Sequence, residues 1–260
     1  MEEKSVLLTK NAGIATITLN RPAAMNSLNQ ALTVELAAAL ADVRQDASVR
    51  VVVLTGNGKA FCAGGDLNYL SSLDTPAACR DFISQAGANV EALLNLEKPV
   101  IAMVNGVAAG AGFNIALACD LVFCASTVKF AQSFSKVGLV PDCGGLFLLP
   151  RLVGLHKAKE LMFTADLIDA SQALSLGLVN QVVEPADLAD AVYKFADRLA
   201  AGAPLALGMI KKMVNRSDSL DLPSVLACEA DLQTICMQTA DYREGVAAFK
   251  EKRPPRFTGK

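Results

Sequence analysis

Two glycine-rich segments are the parts of this sequence best suited to chemistry performed by the backbone. Residues 61–67 (FCAGGDL) follow an apolar run that ends at Thr55, and residues 105–112 (NGVAAGAG) follow another that ends at Val104. Small residues let a ligand approach the main chain closely. Two N–H groups from separate loops can together stabilise one developing oxyanion. Two ordinary tight turns would have the same composition, so both interpretations remain open at this stage.

Other familiar catalytic motifs are incomplete. Residues 56–59 resemble part of a phosphate-binding loop, but Ala60 stands where Ser or Thr is required. The pair Gly110 and Gly112 lacks the third glycine of a dinucleotide fingerprint. His156 is the only histidine, which argues against a histidine-based zinc site and against a Ser–His triad. We therefore expect no metal in this protein.

Composition excludes several classes of function. The 260 residues include 24 Lys and Arg against 26 Asp and Glu, a formal net charge of -2 that provides no field for a nucleic-acid backbone. Hydrophobic residues make up 52% of the chain and charged residues 19%, which excludes intrinsic disorder. So apolar a chain is expected to bury part of its surface between subunits.

The cysteines and the N-terminal residues indicate a compartment. Seven cysteines at irregular spacing, without a C-x-x-C pair, are typical of reduced, buried thiols. The chain begins MEEK, without the basic start and apolar stretch of a signal peptide, and charged or amide residues interrupt its most apolar region. We expect a soluble, cytoplasmic protein that does not bind membranes.

The elements that must position the glycine-rich segments follow from hydrophobic periodicity. Leu32, Leu36, Leu40 and Val43 recur at helical spacing, after two short strands around residues 6–8 and 14–19. Continuous apolar runs at 51–54 and 100–104 predict strands buried on both faces. Strands alternating with helices predict an α/β domain with largely parallel pairing. Beyond about residue 145 the pattern is mostly helical, so we expect a core over residues 1–200 and a helical region over 201–260.

The chain resembles the crotonase (enoyl-CoA hydratase/isomerase) superfamily along nearly its whole length. The two glycine-rich segments look like that family's signature segments. The further matches occur in the same order: Asn20-Arg21-Pro22 with Asn26, then residues 53–56, 98–102, 118–120 and 244–249. The resemblance implies a spiral of strand–strand–helix turns and a helical C-terminal region that forms trimers or dimers of trimers.

The resemblance also implies a substrate and two sets of binding residues. Family members act on acyl-CoA thioesters, so coenzyme A is expected only as the carrier of the acyl group. Two backbone N–H groups hold the thioester oxygen, and the matching positions are Ala63 and Ala111, with Gly64 and Gly110 lining the pocket. Phe249 and Lys252 match the residues that hold the adenine and the ribose phosphate, often from a neighbouring subunit.

The acid–base residues depart from the hydratase pattern. Hydratases of the family use two glutamates, and the matching positions are Asn114 and Phe134, neither of which ionises. Asn114 either donates a hydrogen bond to substrate or water or only fills the place of the glutamate. Two-carboxylate hydration is therefore not expected.

One carboxylate remains near these positions, Asp142, in a segment (VGLVPDCGG) that closely resembles ring-epoxide isomerases of phenylacetate degradation. Dienoyl-CoA isomerases also place a catalytic acid here. The alternative is an N-cap for the helix starting near Gly144. Asp66 is expected to cap the helix that begins at Leu67. Cys62 and Cys143 lie beside the site without an evident base, so we expect no nucleophilic role for them.

These residues predict an acyl-CoA double-bond isomerase with Asp142 as its single catalytic base. A carboxylate that removes and returns one proton suffices for isomerisation, whereas hydration normally requires two groups. Two alternatives remain open: a hydratase or other lyase of the family that uses Asp142 and an ordered water, and a non-catalytic acyl-CoA-binding homologue.

Overall fold

In the computed structural model, which describes residues 4–260, the strands form two sheets. The strands are Val6–Asn11 (β1), Ile14–Leu19 (β2), Val51–Gly56 (β3), Ala60–Cys62 (β4), Val100–Val104 (β5), Val107–Ala109 (β6), Leu121–Ala125 (β7), Lys129–Ala131 (β8), Ile168–Asp169 (β9) and Gln181–Val183 (β10).

The helices pack around these sheets and form the C-terminal region. They are Gln30–Gln45 (α1), Leu67–Ser71 (α2), Pro76–Asn95 (α3), Ala111–Leu117 (α4), Gly145–Thr164 (α5), Ala170–Ser175 (α6), Leu188–Ala200 (α7), Pro204–Ser217 (α8), Leu222–Met237 (α9) and Ala240–Glu251 (α10). Two short 3₁₀ helices span Pro22–Ala24 and Ser133–Val137.

The larger sheet has the order β1-β2-β3-β5-β7-β10, and every pair except β1–β2 is parallel. β3 is buried along its whole length, with Val53 paired to Ile101 of β5. Strands covered on both faces are built from continuous apolar runs, which explains the sequence of β3 and β5. The predicted α/β class with largely parallel pairing is confirmed.

The smaller sheet has the order β4-β6-β8-β9. Successive strands alternate between the sheets: β3, β5 and β7 enter the larger one, and β4, β6 and β8, which follow them directly, enter the smaller one. Helices then lead to the next pair. The predicted spiral of strand–strand–helix turns is thereby confirmed, although the short strands β4 and β6 lie within segments whose sequence resembles loops.

Two details differ from the sequence-based expectation. Within the mostly helical pattern beyond residue 145, the sequence predicts separate helices at 146–153 and 157–164. The structure joins them in α5, which is broken at Gly154, where φ is 77° and ψ is 163°. The sequence predicts that the basic, proline-containing segment 252–256 lies at the surface, which is confirmed, and it leaves a frayed tail as one interpretation. Instead, Arg50 donates a hydrogen bond to the Phe257 carbonyl (2.9 Å), and the carboxylate of Asp241 accepts from the N–H groups of Thr258 and Gly259.

The helical C-terminal region is tied to the sheets through Lys211 of α8. Its buried ammonium donates to the Asp120 carboxylate (2.8 Å) and to the carbonyls of Leu93 and Lys98. Asp120 also accepts from the N–H of Val100 at the start of β5 (2.7 Å). The expected boundary at residue 200 coincides with the end of α7, but α8 is fixed to the core by these contacts.

No helix within the described residues has the length and apolarity needed to cross a bilayer.

Candidate active site

The first glycine-rich segment is held by the loop that precedes α1. Asn26, at φ 57°, donates through its side-chain amide to the carbonyls of Asn57 and Ala60 (2.9 and 2.8 Å). The N–H of Leu28 donates to the Gly64 carbonyl (2.7 Å). These contacts fix the path of the chain on both sides of β4, so Asn26 has a structural role.

Asp66 caps α2, as its sequence position predicts. One of its oxygens accepts from the N–H groups of Asn68 and Tyr69, and the other accepts from the Arg21 guanidinium at 2.9 Å. Burial alone would raise the pKa of this carboxyl, but Arg21 and the two N–H groups lower it below its ordinary value. A carboxylate with both oxygens engaged and a lowered pKa is poorly suited to proton transfer.

The second glycine-rich segment leads into α4. Ala111 is the first helical residue, so its N–H has no acceptor within the helix, and none elsewhere in residues 4–260. At Gly112 a Cβ would lie 2.1 Å from the carbonyl oxygen of Cys62 on β4. Only glycine permits this approach, which brings the start of α4 directly against the first segment.

The two segments meet at Gly64. A Cβ placed on Gly64 would lie 3.6 Å from the amide nitrogen of Ala111 and 3.0 Å from the carbonyl oxygen of Ala109. Gly64 has φ 100°, a conformation that glycine adopts without strain. The structure therefore brings together the two backbone segments singled out from the sequence.

The prediction that Ala63 supplies a free N–H group is contradicted by the structure. That N–H donates to the carbonyl of Met25 at 3.0 Å and is not available to a ligand. The sequence does not reveal this bond, because Met25 lies far earlier in the chain.

The orientation of neighbouring peptides indicates Gly65 instead. The Gly64 carbonyl points towards Leu28, and in a planar trans peptide the next N–H points the opposite way. The opposite side of the segment is the one that faces α4, since the Cys62 carbonyl contacts Gly112 there. The N–H of Gly65, which donates to no backbone carbonyl within the described chain, is thus directed to the α4 side, where Ala111 lies.

Asp142 lies in the loop before α5 with one carboxylate oxygen buried. That oxygen, Oδ1, has no hydrogen-bond partner among the described residues. The first residue before α5 is Gly144, and no side chain caps the helix, so the capping alternative for Asp142 is wrong. Burial raises the pKa of the Asp142 carboxyl, and hydrogen bonds from Cys143 and its own backbone offset this only in part. A buried carboxylate with a raised pKa and a free oxygen has the properties of a general base.

Asn114 connects α4 to the Asp142 loop. Its side chain is fully buried, its Nδ2 donates to the Asp142 carbonyl (2.8 Å), and its Oδ1 accepts from Gln132 Nε2 (2.7 Å). Both ends of the amide are therefore engaged within the protein, which argues against the expected hydrogen bond to substrate or water. Gln132, also buried, was missed from the sequence, since no motif marks it.

Phe134 forms an apolar wall at Gly110. A Cβ on Gly110 would lie 3.6 Å from the tip of the Phe134 ring and 3.2 Å from the hydroxyl oxygen of Ser133. Phe134 is buried, as expected of a residue that excludes water.

The two thiols near the site are inert. Burial raises the pKa of Cys62 to about 12, with the Asp142 carboxylate adding to the shift. Burial and Asp142 also raise the pKa of Cys143. Thiols that stay protonated are poor nucleophiles, as expected. The Asp142 carboxylate is therefore close enough to both thiols to raise the pKa of each.

A cavity of about 750 Å³ opens beside Gly144, between α3, α5 and α8. Val90, Leu94 and Leu148 are among its apolar lining residues. Gly144, which lines this cavity, follows Asp142 by two residues in the sequence. The sequence predicts that the poorly patterned segment 67–90 lines the acyl pocket, but only its end, at Gly87 and Val90, reaches this cavity.

Phe249 and Lys252 lie together at the C-terminal end of α10. The Phe249 side chain is 85% exposed, and the N–H of Lys252 donates to the Phe249 carbonyl.

Within residues 4–260, no three His, Cys, Asp or Glu side chains are grouped as metal ligands.

Comparison with known proteins gives consistent matches. A model of the family described as Enoyl-CoA hydratase/isomerase matches residues 9–260. The chain is 43% identical over 256 residues to 1,2-epoxyphenylacetyl-CoA isomerase of Escherichia coli (strain K12), covering 95% of this chain and 96% of that protein. It is 39% identical over 262 residues to crotonyl-CoA hydratase of Syntrophomonas wolfei, covering 100% of both.

A solved structure also matches this chain over nearly its whole length. The crystal structure of enoyl-CoA hydratase from Bacillus anthracis matches with a TM-score of 0.95 at 34% identity, covering 98% of this chain and 100% of that chain.

Proposed function

Because the chain belongs to the enoyl-CoA hydratase/isomerase family, we propose that it is an acyl-CoA double-bond isomerase with Asp142 as its single base. The observation that carries this proposal is which polar side chains around the two glycine-rich segments already have hydrogen-bond partners within the protein. Asp66 is engaged as a cap, Asn114 is engaged on both ends, and Asp142 keeps one buried oxygen free. One base is what isomerisation needs.

In the proposed mechanism the thioester oxygen accepts hydrogen bonds from the N–H groups of Ala111 and Gly65. Negative charge develops on this oxygen when a proton leaves the α-carbon, so donors fixed in advance favour the transition state over the ground state. Gly64 and Gly110 leave room for the thioester to approach the backbone.

Asp142 carries the proton. Its carboxylate removes a proton from C2 of a 3-enoyl-CoA, and the electrons form a dienolate whose oxygen is held by the two N–H groups. The protonated Asp142 then returns that proton to C4, and the double bond comes to lie between C2 and C3. Atoms and charge balance without an added water or cofactor. Phe134, packed on Gly110, keeps water from the dienolate and favours return of the same proton.

The acyl and coenzyme A portions are assigned to different regions. We place the acyl tail in the part of the cavity beside Gly144 that Val90 and Leu148 line, because these side chains are apolar. Charged side chains line other parts of the same cavity, among them Arg44, Glu97 and Arg216. Phe249 and Lys252 remain our proposal for the adenine and the ribose phosphate. An exposed aromatic ring and a cation on adjacent turns suit a base and a phosphate.

Hydration is the second candidate, favoured by the full-length similarity to a crotonyl-CoA hydratase. In that case Asp142 would activate an ordered water for attack on C3. The 43% identical isomerase of Escherichia coli offers a more specific version of the first candidate, with an epoxide-bearing aromatic acyl group as substrate.

The deciding experiment compares substrates with the purified protein. A 3-enoyl-CoA, crotonyl-CoA and 1,2-epoxyphenylacetyl-CoA are incubated separately, with absorbance of the conjugated thioester followed for the first two and product mass or retention time for all three. Isomerisation predicts rising absorbance with the 3-enoyl-CoA and no loss with crotonyl-CoA. Loss of absorbance with crotonyl-CoA would establish hydration. Turnover of 1,2-epoxyphenylacetyl-CoA alone would establish isomerisation of an epoxide-bearing aromatic acyl group. No turnover of any substrate, with binding retained, would identify a non-catalytic homologue.

A further inference from the structure

The loop that carries Asp142 has an unusual backbone and one side-chain anchor from another element. Cys143 and Gly144, the two residues after Asp142, both have positive φ, at 46° and 75°. For Cys143 this conformation is unfavourable and must be maintained by surrounding contacts. The Asp142 carbonyl accepts from Gly145 N–H within the loop and from Asn114 Nδ2 on α4.

The Asn114 amide is itself oriented. Gln132, at the end of β8, donates from Nε2 to Asn114 Oδ1 at 2.7 Å, so Nδ2 must face the Asp142 carbonyl. Both side chains are almost wholly buried, with exposures of 0% for Asn114 and 1% for Gln132. Turning the Asn114 amide over would set its Oδ1 against the Asp142 carbonyl and its Nδ2 against Gln132 Nε2, which is costly for buried groups. The other end of the Gln132 amide, Oε1, has no hydrogen-bond partner among the described residues.

We propose that Asn114, oriented by Gln132, is a positioning residue that sets the place of the Asp142 carboxylate through the loop backbone. The inference rests on the proposed role of Asp142 as the base. Asp142 Oδ1 has no partner among the described residues, and the hydrogen bonds that the carboxyl receives come from Cys143 and its own backbone, so its position follows that of the loop.

The packing explains why an amide of this length stands here. A Cβ on Gly145 would lie 2.3 Å from Asn114 Nδ2, so the side chain is in direct contact with the loop and a longer one would displace it. An ionised carboxylate at position 114 would have no hydrogen to donate to the Asp142 carbonyl and would repel it. The Asn114 amide thus helps to position Asp142 and does more than fill the place of the hydratase glutamate.

The test uses Asn114→Leu, which keeps the shape of the side chain and removes both hydrogen bonds. The matched control is Asn89→Leu: Asn89 is likewise a buried helical amide, and its Nδ2 donates to the Thr33 carbonyl on α1 (2.9 Å). Steady-state kinetics on the active substrate, binding of a saturated acyl-CoA by calorimetry, and melting temperature are measured for each.

We expect kcat of Asn114→Leu to fall about 100-fold, as for a catalytic group misplaced by about 1 Å, while KM and the Kd of the saturated acyl-CoA change less than about threefold. Asn89→Leu should lower the melting temperature at least as much and leave kcat within about twofold. Equal losses of kcat in the two variants, or an unchanged kcat in Asn114→Leu, would overturn the proposal.

A second variant guards against failure of Asn114→Leu to fold. Gln132→Met removes only the donor that orients Asn114, so kcat should fall by a smaller factor, again with KM unchanged. Full kcat in Gln132→Met would refute the orienting role. Asp142→Asn separates this inference from the function: if that variant keeps full activity, the assignment of the base fails, whereas if it is inactive and Asn114→Leu is fully active, only the positioning role fails.

Discussion

The carboxyl group of Asp142 is placed where burial disfavours its ionised form, and the proposed mechanism needs that form. Replacing Asp142 by Asn keeps the shape and removes the base. We expect kcat to fall by about 10² to 10⁴, the usual contribution of a general base, with Kd for a saturated acyl-CoA unchanged. Steady-state kinetics and isothermal titration calorimetry check this. Near-full activity of the variant would show that Asp142 is not the base.

The same substitution should raise thermal stability at neutral pH. Burial raises the folded-state pKa of Asp142 above its value in the unfolded chain, about 3.9. Below pH ~4 the carboxyl is protonated in both states, so it carries no charge penalty; as pH rises through the folded pKa, the penalty develops. Calorimetric melting temperatures should therefore favour Asp142→Asn at pH 7 to 8, with a gap that narrows towards pH 4. A variant less stable than wild type at pH 7 would contradict this.

At the scale of elements, the contact between α4 and β4 brings the two glycine-rich segments together. Gly112→Ala would force a Cβ to within 2.1 Å of a backbone carbonyl, so the helix must move. We expect a loss of about 1–3 kcal/mol in the free energy of unfolding, as for overpacking in a core, and a large loss of kcat. Denaturant unfolding and steady-state kinetics measure both.

Gly87→Ala is the control for this substitution. Gly87 lies in α3, and a Cβ there has no atom within 4 Å. Its replacement should stabilise the protein by about 0.5–1 kcal/mol through helix propensity alone. If both variants behaved alike, the close approach of α4 to β4 would not limit the site.

The end of α10 offers a second test at this scale. Under the proposal that Lys252 contacts the ribose phosphate, Lys252→Ala should weaken binding of coenzyme A by about 5- to 20-fold, as for loss of one charge-assisted hydrogen bond. Binding of dephospho-coenzyme A should not change. Because Lys252 has φ 55°, Lys252→Asn is the companion variant, since Asn tolerates this conformation. Equal losses for both ligands in calorimetry would argue against the contact.

At the scale of the whole molecule, the C-terminal helices leave much apolar surface uncovered. α9 buries none of its residues, and Leu222, Leu226 and Ile235 are each at least half exposed. Surfaces of this kind typically mark subunit interfaces. We propose a homotrimer or a dimer of trimers with the helices after Pro204 at the interface. Light scattering at micromolar concentration should give three or six times the chain mass of 27.2 kDa, and a monomer mass would refute the proposal.

The sequence predicts this molecule well where local patterns decide the outcome. The apolar run of β3 and the capping by Asp66 follow from periodicity and from residue type beside a helix start. The fold and the meeting of the two glycine-rich segments follow from the family resemblance. Contacts between distant parts of the chain are not visible in this way.

Ala63 and Gln132 illustrate the difference. Which of several consecutive N–H groups is free depends on the loop at Met25, which turns the Ala63 N–H away from the site. The importance of Gln132 depends on a hydrogen bond to Asn114 in another turn of the spiral. Neither of these two hydrogen bonds can be predicted from residue spacing or composition.

The ion pair between Lys211 and Asp120 has a consequence for how the protein unfolds. If α8 detached, Lys211 would regain water, but Asp120, whose pKa is already raised by burial, would stay beside β5 without its counter-ion. The Lys211 side chain is 6% exposed and the Asp120 side chain 22% exposed, so detachment of α8 would break a largely desolvated ion pair and the two carbonyl contacts of Lys211 together. We therefore expect α8 to detach only when the sheets also open, so that limited proteolysis should cut α8 no faster than the whole subunit unfolds.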